Sequence, residues 1–252
     1  MRRLRFPSAA FWRQTTEDDT TPMGFRSKLL LFVAAGLLWA APGAVSAADL
    51  NATLAKLDAA AAKFKSTQAD FQFDSVQTDP VPDTEVQKGT AYYQRKGGSF
   101  EMAAHIREVN GRPVPKVYVY SGGKLKLDEP LMNQVTTLSK VSQYEGYLML
   151  GFGASGKELA EKWNITDDGP EAVSGVNTEK LELVAKDPAV RKNLPKVIIW
   201  IDLDRGVSLK QYFDEGQGQS RTCQYSNIKL NESLPGDAFT FKTDSKTQYI
   251  NR

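Results

Sequence analysis

Ala69-Asp70-Phe71-Gln72-Phe73-Asp74 alternates apolar and polar side chains at every step, the period-two pattern of a strand with one buried and one wetted face. Immediately upstream the period is helical. Leu50, Leu54, Leu57, Ala61 and Phe64 recur at three- and four-residue spacing in an Ala-, Leu- and Lys-rich stretch, with Asp49 or Asn51 placed to cap it. The spacing predicts an amphipathic helix over 49–64 that must lie on something.

Downstream, aromatic and β-branched runs follow one another between turn-rich breaks, at 90–95, 99–109, 114–121, 124–128 and 133–138. Gly122-Gly123 supplies the positive φ angles of a tight hairpin. Two helical patches, 141–150 and 157–163, flank a glycine-rich break at Gly151, Gly153 and Gly156. Strands return at 163–166, 176–185, 196–204, 207–214 and 220–230. Some ten or eleven strands in succession, without alternating helices, exclude a doubly wound parallel sheet. They predict an α+β, mainly β fold, a meandering antiparallel sheet or barrel capped by helices.

Ahead of this domain, Arg26 and Lys28 precede an apolar run over 29–41 and the small-x-small triplet Val45-Ser46-Ala47. That is the form of an export signal cleaved after Ala47, with Met23 placed where such a signal ordinarily starts. The organisation read here is a leader over 1–47 and one domain over 48–252, exported and free of the membrane. Without the leader, basic and acidic side chains nearly balance, so the domain lacks the basic stripe that nucleic acid requires. The single cysteine, Cys223, excludes an intrachain disulfide.

Chemical signals are sparse. His105 is the sole histidine, so neither a catalytic triad nor a multi-histidine metal site can be built. Gly151-Phe-Gly-Ala-Ser-Gly156 matches a dinucleotide fingerprint by letter, but a helical patch rather than a buried parallel strand precedes it. It reads instead as a flexible connection between two short helices. Asp167, Asp168 and Glu171 lie by a Gly-Pro turn, and Asp202 and Asp204 at a strand end, where solvated acids are ordinary. Cys223 reads as a small buried apolar residue. No catalytic residue, metal or cofactor is expected.

What stands out is apolar excess. In 196–204, Val197, Ile199 and Ile201 occupy one face while Ile198 and Trp200 occupy the other. Such a strand is either packed between sheet and helices or lines a cavity for an apolar ligand. Strand parity nominates Phe71, Phe73, Tyr93, Phe100, Met102, Val119, Ile199 and Ile201 as cavity positions.

Several strings in sequential order carry a resemblance. They are Phe64-Lys-Ser-Thr-Gln-Ala-Asp-Phe71-Gln-Phe73, Gly89-Thr-Ala-Tyr-Tyr-Gln-Arg95, the hairpin Val119-Tyr-Ser-Gly-Gly-Lys-Leu-Lys-Leu-Asp-Glu-Pro130, Tyr147-Leu-Met-Leu-Gly, Trp163-Asn-Ile and Leu234-Pro-Gly-Asp-Ala-Phe239-Thr-Phe241. In this order the chain resembles the bacterial periplasmic lipoprotein carrier LolA and its relatives, over nearly the whole of 48–252. It departs from that pattern at Lys96, where the family commonly has proline, and at Gly122-Gly123, where the family has Gly-Asp. The resemblance implies an incomplete antiparallel β-barrel of about ten or eleven strands whose concave apolar face is covered by short α-helices acting as a lid, with acyl chains bound between them. It implies a latch at Arg95, whose guanidinium would hydrogen-bond lid carbonyls in the empty form. As partners it implies acylated lipoprotein or lipid cargo, an inner-membrane lipoprotein-releasing transporter and an outer-membrane receptor, with the protein itself a periplasmic monomer. The rival readings are a lipid- or lipoprotein-binding sensory module of the same architecture, a secreted enzyme, and a structural envelope protein with no cavity.

Overall fold

A computed structural model describes residues 47–96, 99–139, 141 and 145–252. The leader, the Met23 start and the apolar run over 29–41 lie outside the described residues.

Among the described residues twelve strands form one sheet. In chain order they are β1 (Ser66–Gln77), β2 (Asp83–Lys96), β3 (Ser99–Val109), β4 (Arg112–Ser121), β5 (Lys124–Glu129), β6 (Gln134–Leu138), β7 (Trp163–Val173), β8 (Val176–Ala185), β9 (Lys196–Asp202), β10 (Val207–Gly216), β11 (Gln219–Leu230) and β12 (Gln248–Asn251). Their spatial order is β12-β6-β5-β4-β3-β2-β1-β11-β10-β9-β8-β7, which leaves two edges unjoined. The fold is thus mainly β and open, an incomplete barrel. Four α-helices accompany it: α1 (Ala47–Lys63), α2 (Glu145–Leu148), α3 (Gly156–Lys162) and α4 (Pro188–Asn193).

The period-two stretch behaves as its alternation dictates. In β1, Phe71 stands opposite Gly89 of β2 and Tyr225 of β11, and Phe73 opposite Gln87 and Cys223, so the odd positions share the concave face. β4 and β5 turn through Gly122 and Gly123, at φ +58° and +73°, with Ser121 paired to Lys124. Two successive positive φ values match the right-handed twist of the flanking strands.

Four sequence expectations need correction. β7 does not stop at residue 166 but runs to Val173, with Gly169-Pro170 absorbed by a bulge between Asp167 and Gly169. Proline is tolerated there because β7 is an edge strand. α1 begins at Ala47, so Asp49 lies in its first turn rather than at its cap. The helix anticipated over 141–150 is only Glu145–Leu148, and residues 142–144 lie outside the described residues. Finally, β12 pairs parallel with β6, through Gln248 N–H to Asn133 O (2.9 Å) and Arg252 N–H to Thr137 O (2.9 Å). Four residues, Gln-Tyr-Ile-Asn, are too short to carry a periodic signal.

The chain reaches β12 by crossing the convex face. His105 Nε2 donates to the carbonyl oxygen of Ala238 at 2.8 Å, and its ring meets Tyr92 edge-on at 5.1 Å. The histidine therefore fastens the tail after β11 to the outside of the sheet. Trp200, on the same outer parity, is covered by the ammonium groups of Lys210 and Lys180 at 4.3 and 5.9 Å from its ring centroid. Long basic side chains thus cover an aromatic on the outer face.

Candidate functional site

Along the middle of the concave face a cavity of about 190 Å³ is left between sheet and helices. Phe71, Phe73, Tyr93, Met102, Phe213 and Tyr225 line its sheet side, and Tyr147 and Leu148 of α2 its lid side. Four of the parity-nominated residues, Phe71, Phe73, Tyr93 and Met102, therefore share one wall. Phe100 is buried beside them, its ring 6.1 Å from that of Tyr93. The other three lie elsewhere. Val119 pairs with Ala103, whereas Met102 pairs with Tyr120, so alternation places Val119 on the opposite face. Ile199 and Ile201 belong to an aliphatic core with Leu57, Leu159, Leu181 and Leu183, where α1 and α3 fill the space they would have lined.

The lid is the segment from α2 to α3, and its backbone carbonyls are held at three points. Gln211 Nε2 donates to Leu150 O at 2.5 Å, Ser208 N–H to Gly151 O at 2.8 Å, and Arg95 Nη2 to Gly153 O at 2.5 Å. Arg95 also lies 3.6 Å from Glu158 of α3. Its Nε is buried and finds no partner among the described residues. A fourth tie reaches the other end, where the Tyr120 hydroxyl donates to Glu145 at 2.5 Å. The Ser155 side chain caps α3 and Glu158 returns the bond to Ser155 N–H, fixing where the lid's second helix starts.

Between these ties Phe152, fully buried, plugs the cavity end. Its ring stacks on Tyr93 at 4.3 Å and meets Tyr225 edge-on at 4.7 Å. The glycine-rich string is therefore a packed plug and not a slack connection. Gly153 shows why it needs its letters: at φ +78°, a Cβ there would sit 2.5 Å from the Phe64 ring.

The cavity is lined without ionised groups. Burial raises the Tyr93 and Tyr225 phenols well above the ordinary tyrosine range, and pushes the Cys223 thiol up to about 12, so each keeps its proton. The Tyr225 hydroxyl donates to Gln211 Oε1 at 3.2 Å and lies 3.4 Å from that of Tyr93. Gln211 thus couples cavity wall to lid and is only 4 % exposed. Sequence reasoning passed over it, although a glutamine on the inward parity of an apolar strand, two residues before Phe213, was a readable signal.

The acids sit differently from the solvated turns the sequence suggested. Asp167 is buried in β7, accepting from Thr53 of α1 at 2.9 Å and from Gly169 N–H. Asp202 is buried and holds its turn through Asp204 N–H and the Arg205 backbone and guanidinium. Among the described residues no three His, Cys, Asp or Glu side chains come together as a metal site.

No family model and no curated protein matches the chain. Solved structures do. An uncharacterised conserved protein from Thermus thermophilus superposes with a TM-score of 0.51 at 11 % identity, over 80 % of this chain and 98 % of that one. This likeness is one of fold. Weaker superpositions are with the Mycobacterium tuberculosis lipoprotein LppX (TM-score 0.47, 15 % identity, 75 % of this chain and 99 % of that one) and a putative outer membrane lipoprotein-sorting protein domain from Vibrio parahaemolyticus (0.40, 13 %, 75 % and 97 %). The architecture itself is an opening helix, an open and almost wholly antiparallel sheet, and short helices over its concave face.

Proposed function

We propose that this protein is an exported, periplasmic carrier that binds acyl chains of lipoproteins or similar acylated cargo between sheet and lid, with Arg95 as the latch of the empty form. The observation that carries the reading is the pairing of an aromatic-lined cavity with a lid whose backbone carbonyls are held by polar ties in addition to the apolar packing of Met149, Leu150 and Phe152. Magnitudes favour a latched state. Ordinary ligand pockets span roughly 300–1,000 Å³, so a cavity of about 190 Å³ must enlarge to admit a long chain. Burying a sixteen-carbon chain at ~0.8 kcal/mol per CH₂ is worth on the order of 12 kcal/mol. Opening a lid that breaks a few hydrogen bonds offsets part of that gain and keeps cargo releasable.

The passage of cargo from an inner-membrane releasing transporter to an outer-membrane receptor belongs to the same proposal. Native mass spectrometry of the protein purified without detergent, followed by organic extraction, tests it. Co-purifying lipid or acylated protein is the expected result. An apo mass together with no binding of a fluorescent fatty-acyl probe overturns the carrier reading.

A further inference from the structure

Beyond Phe73 the concave face changes character. The Arg221 guanidinium lies 5.8 Å from the centroid of the Phe73 ring and is ion-paired with Glu215. Phe73 is therefore a shared wall, with apolar cavity on one side and charge on the other. Across the sheet, Tyr118 pairs with Ala104, which also lines the cavity, and so continues the same face on β4. Lys116 lies 3.5 Å from Glu129, with side chains 15 % and 10 % exposed. On β2, Gln87 donates to Glu85 at 2.6 Å.

These groups converge. The Tyr118 phenol is held above the ordinary tyrosine range by burial first, then by the charges of Glu129 and Glu85, against the opposing pull of Arg221. Charges on β2, β5 and β11 thus act on one hydroxyl on β4. The hydroxyl keeps its proton and has no hydrogen-bond partner among the described residues, so a donor stands free where the apolar cavity ends.

We propose that this polar compartment seats the zwitterionic head of an acylated ligand, its chain running past Phe73 toward Phe152, so that cargo is held in one orientation. This rests on the cavity reading above and adds the class of head. Three carboxylates (Glu85, Glu129, Glu215) face two bases (Lys116, Arg221), so a purely anionic head meets excess negative charge. A zwitterion meets both signs: its phosphate lies by Arg221, whose planar fork has more donors than one carboxylate uses. Its ammonium lies by Glu85, which has no cationic partner among the described ion pairs. The phosphate also accepts from Tyr118. A ligand without a head leaves all three groups unused.

The test is displacement of a fluorescent fatty-acyl probe by three single-chain ligands of equal chain length: a phosphocholine lipid, a phosphoglycerol lipid and the free fatty acid. The phosphocholine lipid is expected to compete at least tenfold better than either anionic ligand. Glu85→Gln and Tyr118→Phe, both conservative, should bring it down toward the fatty-acid level; Tyr118→Phe leaves the fatty acid unchanged, and Glu85→Gln, which removes one negative charge, does not weaken it. Equal competition by all three, or preference for the phosphoglycerol lipid, overturns the head assignment and leaves the cavity standing. Failure of the probe itself to bind removes the cavity reading and this inference with it.

Discussion

Under α1 and α3 the sheet is packed to closure: Leu181, Leu183, Val197 and Ile199 have no exposed surface, Leu57 and Leu159 seal them from above, and Trp163 of β7 joins the same cluster. Over β1 to β3 and β11 the same sheet carries larger side chains and a looser fit. Phe71 and Met102 are only partly buried there, and a cavity remains beneath Tyr147 and Leu148. Protein interiors ordinarily pack like organic crystals, and voids forfeit dispersion contacts. One region therefore spends its apolar side chains on stability, whereas the other withholds some of that stability to keep room.

Truncation should separate the two most sharply. Ile199→Ala removes atoms from a filled core and is expected to cost about 2–5 kcal/mol in urea unfolding, with acyl-probe affinity per folded molecule unchanged. Phe71→Ala enlarges a void that already exists, so it should cost less than about 2 kcal/mol while weakening the probe at least fivefold. Equal destabilisation by both, with neither affecting the probe, would break the comparison.

Next in size is the latch. Arg95→Leu removes a charge-assisted hydrogen bond of the kind worth about 1.5–3 kcal/mol, and raises the population of the open lid. Faster probe uptake and an apparent affinity higher by about tenfold are expected, with cooperative unfolding retained. Unchanged uptake and release would remove Arg95 from the mechanism.

The filled region carries a pH dependence of its own. Glu179 of β8 is pushed up to about 7, by burial first, then by its hydrogen bond with Asp167 and that residue's charge, with Lys56 of α1 opposing and Asp49 adding. Its folded value lies above the ordinary glutamate value, so its contribution to stability is complete at low pH. It is lost as pH rises from about 4.5 to about 7. Denaturant midpoints across this window should fall for the native protein and flatten for Glu179→Gln. The smallest effect belongs to the α3 cap: Ser155→Ala should cost about 1 kcal/mol and loosen the lid's second anchor, seen as faster amide exchange across 156–162.

Periodic stretches were legible in the sequence and discontinuous ones were not. The alternation from Ala69 to Asp74 and the helical spacing from Leu50 to Phe64 each report a face directly. Parity could place Phe71, Phe73, Tyr93 and Met102 together. It could not tell that Ile199 and Ile201, on the same concave face, lie under α1 and α3, because helix placement depends on contacts distant in sequence. Val119 was misassigned because parity within one strand has no sign until a neighbour fixes it, and Ala103 fixes it outward. Asp167 read as solvated because nothing local announces that Thr53, 114 residues earlier, donates to it. β12 was invisible because its partner, β6, is remote and its four residues show no alternation.

The central claim is that the void over β1 to β3 is kept for a ligand, and filling it is the most direct test. Ala104→Leu projects added methyl groups toward the cavity from the β3 wall. The account predicts an unchanged or raised melting temperature together with loss of acyl-probe binding. A destabilisation of about 1–3 kcal/mol, typical of overpacking a filled core, with probe binding intact, would contradict it.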